Sequence, residues 1–420
     1  MATPPKKLPI ILALGTVQTL AFGSTLYLPA ILAEPMANDL GFVPGLAFGA
    51  FSLALIVAAL LGPVAGARID RFGGRNVMTI SSLVLACGLA LLGLAQGITG
   101  ICIAWLAIGI GMATGLYESA FATLTGIFGR DARGPITGIT LIAGFASTIC
   151  WPISAWFEIE YGWRITCFFW AGMHIVLALP LNRFLIPSIR DVAAPAPTHQ
   201  DHTGAHPRDQ DNKAQTSAVF NSSQSNTSTK PSQKYFTLPM FLLAFVFAAS
   251  WFTATAMAAH LPRMLQISGL STADAIIAAS LVGPAQVIGR LLEFGFLQRM
   301  HPLISARLAS ITHPLGAAIL LIFGGPAAMI FTCLHGTGNG ILTIAKGTLP
   351  LAMFGPNGYG RRQGFLMAPS RFAQAAAPFL FGILIDGYGV QALWLTGGLG
   401  LLTLLALMNL KAAASKKDGI

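Results

Sequence analysis

Three ionisable residues stand inside long apolar stretches of this sequence: Glu118 in "GMATGLYESAFATL", Lys346 in "GILTIAKGTLPL" and Arg371 in "LMAPSRFAQAAAP". A charge at lipid depth is costly, and it is kept where it holds a ligand, a proton or a partner charge. The guanidinium of Arg371 presents a planar fork of donors that suits a carboxylate, and Gln374, three residues on, shares its helical face. Lys346 ends a series, His335, Asn339, Leu342 and Lys346, at i, i+4, i+7 and i+11. That series is a largely polar helix face, flanked by a stripe of Gly336, Gly340 and Gly347 along which another helix can approach. Glu118 shares a face with Thr114 and Thr125 and is the expected carrier of a coupling proton; its structural alternative is a permanent salt bridge to Arg371 or Lys346. Gln18, Tyr27, Tyr117, Trp251, Thr253 and His260 are expected as cavity residues by position, with packing as the alternative. Covalent chemistry has no comparable basis. The sequence has no Cys-x-x-Cys and no phosphate loop, so no enzyme, cofactor or metal site is expected. Cys87, Cys102, Cys150, Cys167 and Cys333 all fall in apolar runs and read as small buried hydrophobes.

The elements that must position these side chains follow from composition. Hydrophobic residues make up 54% of the 420 and charged residues only 10%, and continuous apolar runs of membrane-crossing length recur along the chain. Continuous rather than alternating runs predict helices, so the fold class is an all-α membrane protein. Twelve spans are predicted: 8–33, 46–67, 77–96, 99–128, 135–157, 164–186, 237–261, 273–298, 303–323, 326–350, 363–385 and 390–411. The opening "MATPPKKLPIILALG" has lysines ahead of an apolar run that is too long for a signal peptide, and it is read as span 1.

Residues 187–236 are of another kind, rich in Ser, Thr, Pro, Gln and Asp, and are expected to be a disordered cytoplasmic linker between two six-helix halves, 1–186 and 237–420. The matches at Asn221 and Asn226 to the glycosylation pattern are put down to that composition. Of the 25 Lys and Arg residues, all but Arg164, Arg263 and Arg371 fall on one side of the twelve-span arrangement or at its helix ends. The positive-inside rule makes that side, and with it both termini, cytoplasmic. The net charge of +10 therefore reflects orientation in a plasma membrane, here read as a bacterial inner membrane, and calls for no nucleic-acid partner. The halves also repeat. At a constant offset of 226, Phe128-Gly129 falls on Phe354-Gly355, Gly138 on Gly364, Pro152 on Pro378 and Glu160 on Asp386, while Leu28-Pro29 and Leu261-Pro262 are read as closing spans 1 and 7. Six plus six spans in parallel halves is a transporter plan with cargo at the midplane.

The turn "GARIDRFGGRN" at 66–76 concentrates charge between spans 2 and 3. It resembles the major facilitator superfamily signature G-x-L-A-D-R-x-G-R-K, with Gly66, Asp70, Arg71, Gly73 and Arg75 on matching positions. Arg68 departs from an apolar position, and Gly74 stands where an arginine is usual. The resemblance implies the major facilitator fold, and it implies that Asp70 sits against a helix N-terminus, that of span 11. Charged contacts at the rim can form in one state of a rocking transporter and break in the other. Arg71 and Arg75 are expected to reach Asp131 in the loop after span 4, or simply to anchor topology. In the second half, Arg290 and Glu293 lie three apart on one face and are expected at a gate.

Span 4 carries no arginine and span 5 no glycine cluster of the kind that marks proton-driven drug exporters of the superfamily. The cation in span 11 and "YGWR" entering span 6 are loosely similar to the monocarboxylate and oxalate/formate branch. The expected function is a monomeric secondary transporter of a small organic anion, a carboxylate, moved by proton symport or by exchange for a counter-anion. Export of hydrophobic drugs is the alternative.

Overall fold

A computed structural model describes residues 6–187 and 237–411. The expected linker, apart from Pro187, lies outside the described residues. Every regular element among the described residues is helical. A helix pairs its backbone N–H and C=O groups internally, which a bilayer, lacking water to bond them, demands. Nine largely helical stretches among the described residues are long and apolar enough to cross a membrane. Two exceed a single crossing several-fold: Ile98–Leu185 is 88 residues long and Tyr359–Met408 is 50, against ~20 for one crossing. Turns fold them into three and two spans, so twelve spans result, as predicted. Gly162, at φ +80°, makes one of these turns: it breaks Ala146–Met173 between spans 5 and 6 in a backbone conformation that a Cβ would strain.

Helix ends depart from expectation where proline was read as a stop. Span 1 is Lys7–Ser24, followed after a short break by Pro29–Leu40, so Pro29 opens a helix instead of closing one. Proline suits a first helical position because its missing N–H would be unpaired there anyway. In span 7, Leu238–Ile267 runs straight through Pro262. Span 4 is two helices, Ile98–Gly115 and Tyr117–Phe128, separated by an extended Leu116. Span 10 is Ala328–Phe354, and span 11 is Tyr359–Tyr388, beginning four residues earlier than predicted.

Each half buries an apolar core of its own, around Trp105 and Trp170 in the first and around Phe331 and Phe381 in the second. The outer surface is apolar as well: Phe184 is 80% exposed and Phe379 72%. That distribution suits a lipid surround, which solvates such side chains. The halves meet chiefly where span 2 (Pro44–Phe72) lies along span 11, and where span 5 lies against span 8 (Thr272–Ser280 and Val282–Gly295) and span 10.

Candidate functional site

The face that carries Lys6, the turn at 66–76, Arg133 and Arg361 is here called the basic face, and the halves are locked together on it. Asp70 ends span 2 with each carboxylate oxygen accepting one backbone N–H from the start of span 11, Gly360 to Oδ1 and Arg361 to Oδ2, both at 2.8 Å. The first amides of a helix have no internal partner, and the helix dipole is positive there, so a carboxylate completes that end. Glycines bring it within reach. Gly62 and Gly66 face Gly364 and Gly360, and a Cβ on Gly364 would stand 2.5 Å from the Gly62 carbonyl oxygen. Gly73 terminates span 2 at φ +80°. Gly74, where the signature has an arginine, begins span 3 against Thr123, and a side chain there would overlap the Thr123 hydroxyl.

Span 8 makes the matching contact with the first half. Glu293, 1% exposed, accepts from Arg133 Nη2 at 3.1 Å, while Arg133 Nη1 donates to the Met300 carbonyl at 2.6 Å. The expected reach of Arg71 and Arg75 to Asp131 is not made in this state. Arg71 lies over the Phe72 ring at 5.0 Å, and Asp131, exposed in the turn Gly129–Ala132, forms no ion pair among the described residues.

Deeper in, the break in span 4 builds a charged cluster. Leu116 is extended, which frees carbonyls of the preceding turn. The side chain of Gln18 donates to the Gly115 oxygen at 2.7 Å and Ser119 to the Ala113 oxygen at 3.2 Å. Gln18, expected as a cavity residue, is thus fully buried and serves to satisfy the broken helix. The second helix starts at Tyr117, so Glu118 falls in its first turn, where negative charge is favoured. From there it receives Arg371 Nη2 at 3.0 and 3.1 Å on its two oxygens. Arg371 Nη1 donates to Gln374 Oε1 at 3.0 Å. The arginine and glutamate that the sequence places 253 positions apart are therefore one pair across the two halves. Of the two alternatives for Glu118, the salt bridge to Arg371 is the arrangement made here.

Lys346 is the counterpoint. Its Nζ is buried, has no hydrogen-bond partner and stands 4.1 Å from the centre of the Trp251 ring, over which the Arg371 guanidinium also lies at 5.7 Å. The ring face supplies some attraction, but two cations share it and the nearby carboxylate is already engaged by Arg371. Arg290 is similar: 5% exposed, its Nε and Nη1 lack partners and Nη2 has only Gln286 Oε1 at 3.4 Å. It crosses to the first half, where a methyl group in place of Gly144's hydrogen would overlap the guanidinium. Other arginines are accounted for by helix ends. Arg307 donates to the Leu407 and Leu410 carbonyls, and Arg362 to those of Phe354, Gly355 and Asn357.

The profile of the Major Facilitator Superfamily matches residues 14–334. The chain belongs to that superfamily. Among solved structures it is similar to a mutant of the E. coli fucose:proton symporter FucP, with 13% identity, a TM-score of 0.70 and coverage of 96% of this chain and 98% of that one. It is similar to a double-tryptophan mutant of XylE, with 13% identity, a TM-score of 0.74 and coverage of 96% and 95%. The human organic anion transporter MFSD10 (TETRAN) matches with 15% identity, a TM-score of 0.66 and coverage of 96% and 100%. At such identities these likenesses establish the fold, and the protein is a multi-pass transporter of the superfamily, not an enzyme.

In this major facilitator chain the remaining predicted positions divide by surroundings. Tyr117 is buried, stacked on Phe121 at 5.1 Å and against Phe22 at 4.5 Å. His260 pairs with the Pro378 carbonyl at 2.7 Å, and Thr253 and Asn339 line a small cavity with His335. The glycine stripe of span 10 serves two neighbours: Gly336 and Gly340 face span 8, and Gly347 faces Phe121 and Ile136 of the first half. Sequence reasoning missed Arg133, Tyr359 and His313. Arg133 and Tyr359 are related by the same 226-residue offset and both open helices at the inter-half contact, with the Tyr359 hydroxyl donating to the Gly347 carbonyl at 2.6 Å. That offset was the available signal. His313 sits alone in span 9 with no spacing to flag it.

Proposed function

We propose that this transporter carries a small organic anion, a carboxylate, between its two halves by alternating access, with the basic face toward the cytoplasm. One observation carries the reading: the buried Nζ of Lys346 has no hydrogen-bond partner beside an Arg371–Glu118 pair whose charges already offset each other. Buried charge needs a partner, and a site left with surplus cation is complementary to an anion. The half-unpartnered Arg290 adds to the surplus. Trp251 would give the cargo's apolar body a face, and Lys346 and the Arg371 fork would hold its charged end. A proton on Glu118 would release that fork, which is the link that symport needs; exchange of one anion for another needs none.

The orientation rests on the positive-inside rule. The two arginines on the opposite face support it, since each is matched by an aspartate, Arg164 with Asp39 and Arg263 with Asp386. Export of hydrophobic compounds is a second reading, favoured by an apolar cavity of about 530 Å³ between spans 1, 5 and 6, lined by Leu20, Phe145, Ile149 and Trp170 among others.

The test is ligand stabilisation of the purified full chain, because a ligand that binds the folded state raises its unfolding temperature. Carboxylates are expected to raise it, and Lys346→Gln to abolish the rise. Stabilisation by neutral sugars or by lipophilic cations alone would overturn the anion reading.

A further inference from the structure

His313 of span 9 (Pro302–Phe323) and His335 of span 10 are both buried, and their Nδ1 atoms lie 2.9 Å apart. An imidazole nitrogen either carries a proton or accepts one. At that distance one ring donates its Nδ1–H and the other accepts, so the donor's second nitrogen, Nε2, is left as a vacant base. Whichever ring donates, the neutral pair has one such position. Filling it makes an imidazolium whose hydrogen bond to the other ring becomes charge-assisted and stronger. A second added proton would set two imidazolium rings with their Nδ1–H groups facing each other, which the spacing forbids. The geometry therefore accepts one extra proton as a unit.

The surroundings offer that charge neutral polar groups. The two rings line a cavity of about 40 Å³ between spans 7, 9, 10 and 12, which is room for water. Ser250, Thr253, Ser310, Thr312, Asn339 and Thr403 also line it. Ser250, Ser310 and Thr312 donate their hydroxyl protons to the carbonyls of Val246, Arg307 and Ala309. With their protons committed to their own helices, these oxygens keep lone pairs that can accept, through water in the cavity, from a protonated ring. His313 Nε2 is buried without a partner. Among the lining residues from spans 7, 9, 10 and 12 the two histidines are the only titratable groups. On its other side span 10 meets Val282 and Ala285 of span 8 at Gly336, while Arg290 of span 8 lies against Gly144 in the other half. The nearest charges along the same helices, Arg307 and Lys346, are engaged at the end of span 12 and at the Trp251 ring.

We propose that His313 and His335 form a one-proton binding site, separate from Glu118, that ties protonation of the C-terminal half to opening at the basic face. The physical link is span 10, which carries His335 at one end of its polar face and Lys346 at the other, and span 7, which contributes Thr253 to the cavity and Trp251 to Lys346. This inference does not depend on the nature of the cargo.

Two measurements on the purified full chain test it without a cargo. Nitrogen-15 NMR of labelled histidine, assigned by single His→Asn variants, follows both rings between about pH 4 and pH 9. The two rings are expected to titrate with one shared midpoint and a gain of one proton, and His313→Asn to move the His335 midpoint. Rings that stay neutral throughout, that titrate independently, or that respond to sodium at constant pH would overturn the proposal. In a Glu118→Gln background, the distance between spin labels at positions 68 and 357 should still shift as pH falls, and the shift should vanish in His335→Asn. A shift that persists without His335 would separate the pair from the movement and overturn that link.

Discussion

Gly66 and Gly360 meet backbone to backbone across the two halves: a Cβ on Gly360 would stand 2.5 Å from the Gly66 carbonyl oxygen, and one on Gly66 would overlap the Gly360 carbonyl. Neither contact lies within a half, so each bundle keeps its own core if the pair is spoiled. Gly66→Val should therefore leave folding intact and hold the basic face open, with transport reduced at least tenfold. Labels at positions 68 and 357 would report the added separation. Normal turnover in that variant would mean that this close approach is dispensable.

Asp70 closes the same contact through charge. Asn at this position keeps one acceptor oxygen, loses the other, and presents an amide N–H₂ to the second backbone N–H. Hydrogen bonds to a charged group contribute ~1.5 to 3 kcal/mol, so Asp70→Asn should shift the equilibrium toward the open basic face by roughly ten- to a hundredfold. Ligand affinity, measured by thermal shift, should stay within a few fold because Asp70 lies at the rim. Equal transport at equal expression would remove this latch from the cycle.

The second latch makes a different forecast, since Glu293 is buried and Arg133 is its ion-pair partner. Removing one member of a buried pair is costlier than removing both, because the survivor keeps its desolvation cost. Arg133→Gln should lower the unfolding temperature, and Arg133→Gln combined with Glu293→Gln should recover part of the loss. A double variant no better than the single would show that Glu293 is not desolvated in the way described.

These two latches also show what the chain makes legible. Asp70 against the start of span 11 follows from a signature and from the unpaired amides of any helix end. The Glu118–Arg371 pair was readable only as an alternative, because spacing places residues on faces within a helix and does not say which faces meet. The break at Leu116 had no proline to mark it: the run from Ile98 to Phe128 is apolar apart from Glu118 and scattered small polar residues, and the side chain that supports the break, Gln18, comes from span 1. Prolines misled for a related reason. Pro29 and Pro262 restrict one residue each, and whether that opens, bends or leaves a helix depends on partners from other spans. His313 could not be found at all, since a single histidine acquires meaning only from the one it touches.

His301, just outside span 9, gives a pH prediction. Its Nδ1 accepts the backbone N–H of Leu303 at 3.2 Å and caps that helix. Partial burial, aided by the positive charges of Arg133 and Arg307, holds its pKa below the ordinary value of 6.5. A folded-state pKa that is lowered means that the unfolded chain binds the proton more readily, so the contribution to stability is full above pH 6.5 and is lost as pH falls through the lowered value. The unfolding temperature should decline over that window in the native chain. His301→Asn, which can cap without titrating, should flatten this part of the decline. An identical pH profile in the variant would assign the effect to other groups.

The last prediction separates the two cations at the Trp251 ring. Arg371 has its fork occupied by Glu118 and Gln374, whereas Lys346 Nζ has no hydrogen-bond partner. Lys346→Gln should therefore weaken a bound carboxylate by ~2 to 5 kcal/mol, the range for truncating one member of a desolvated charge pair, while leaving the Arg371–Glu118 pair and the fold undisturbed. Arg371→Ala should be worse for the protein itself, because it strands a half-buried Glu118, and adding Glu118→Gln should restore expression without restoring binding. Arg371→Lys tests the geometry: an ammonium supplies the charge but not the bidentate fork, so it should hold Glu118 less firmly and give intermediate binding. Isothermal titration with the carboxylate that stabilises the native chain most would rank the four variants. Lys346→Gln binding that carboxylate as tightly as the native chain would show that this ammonium is not the cargo's partner, and Arg371→Ala binding it normally would show the same of the fork.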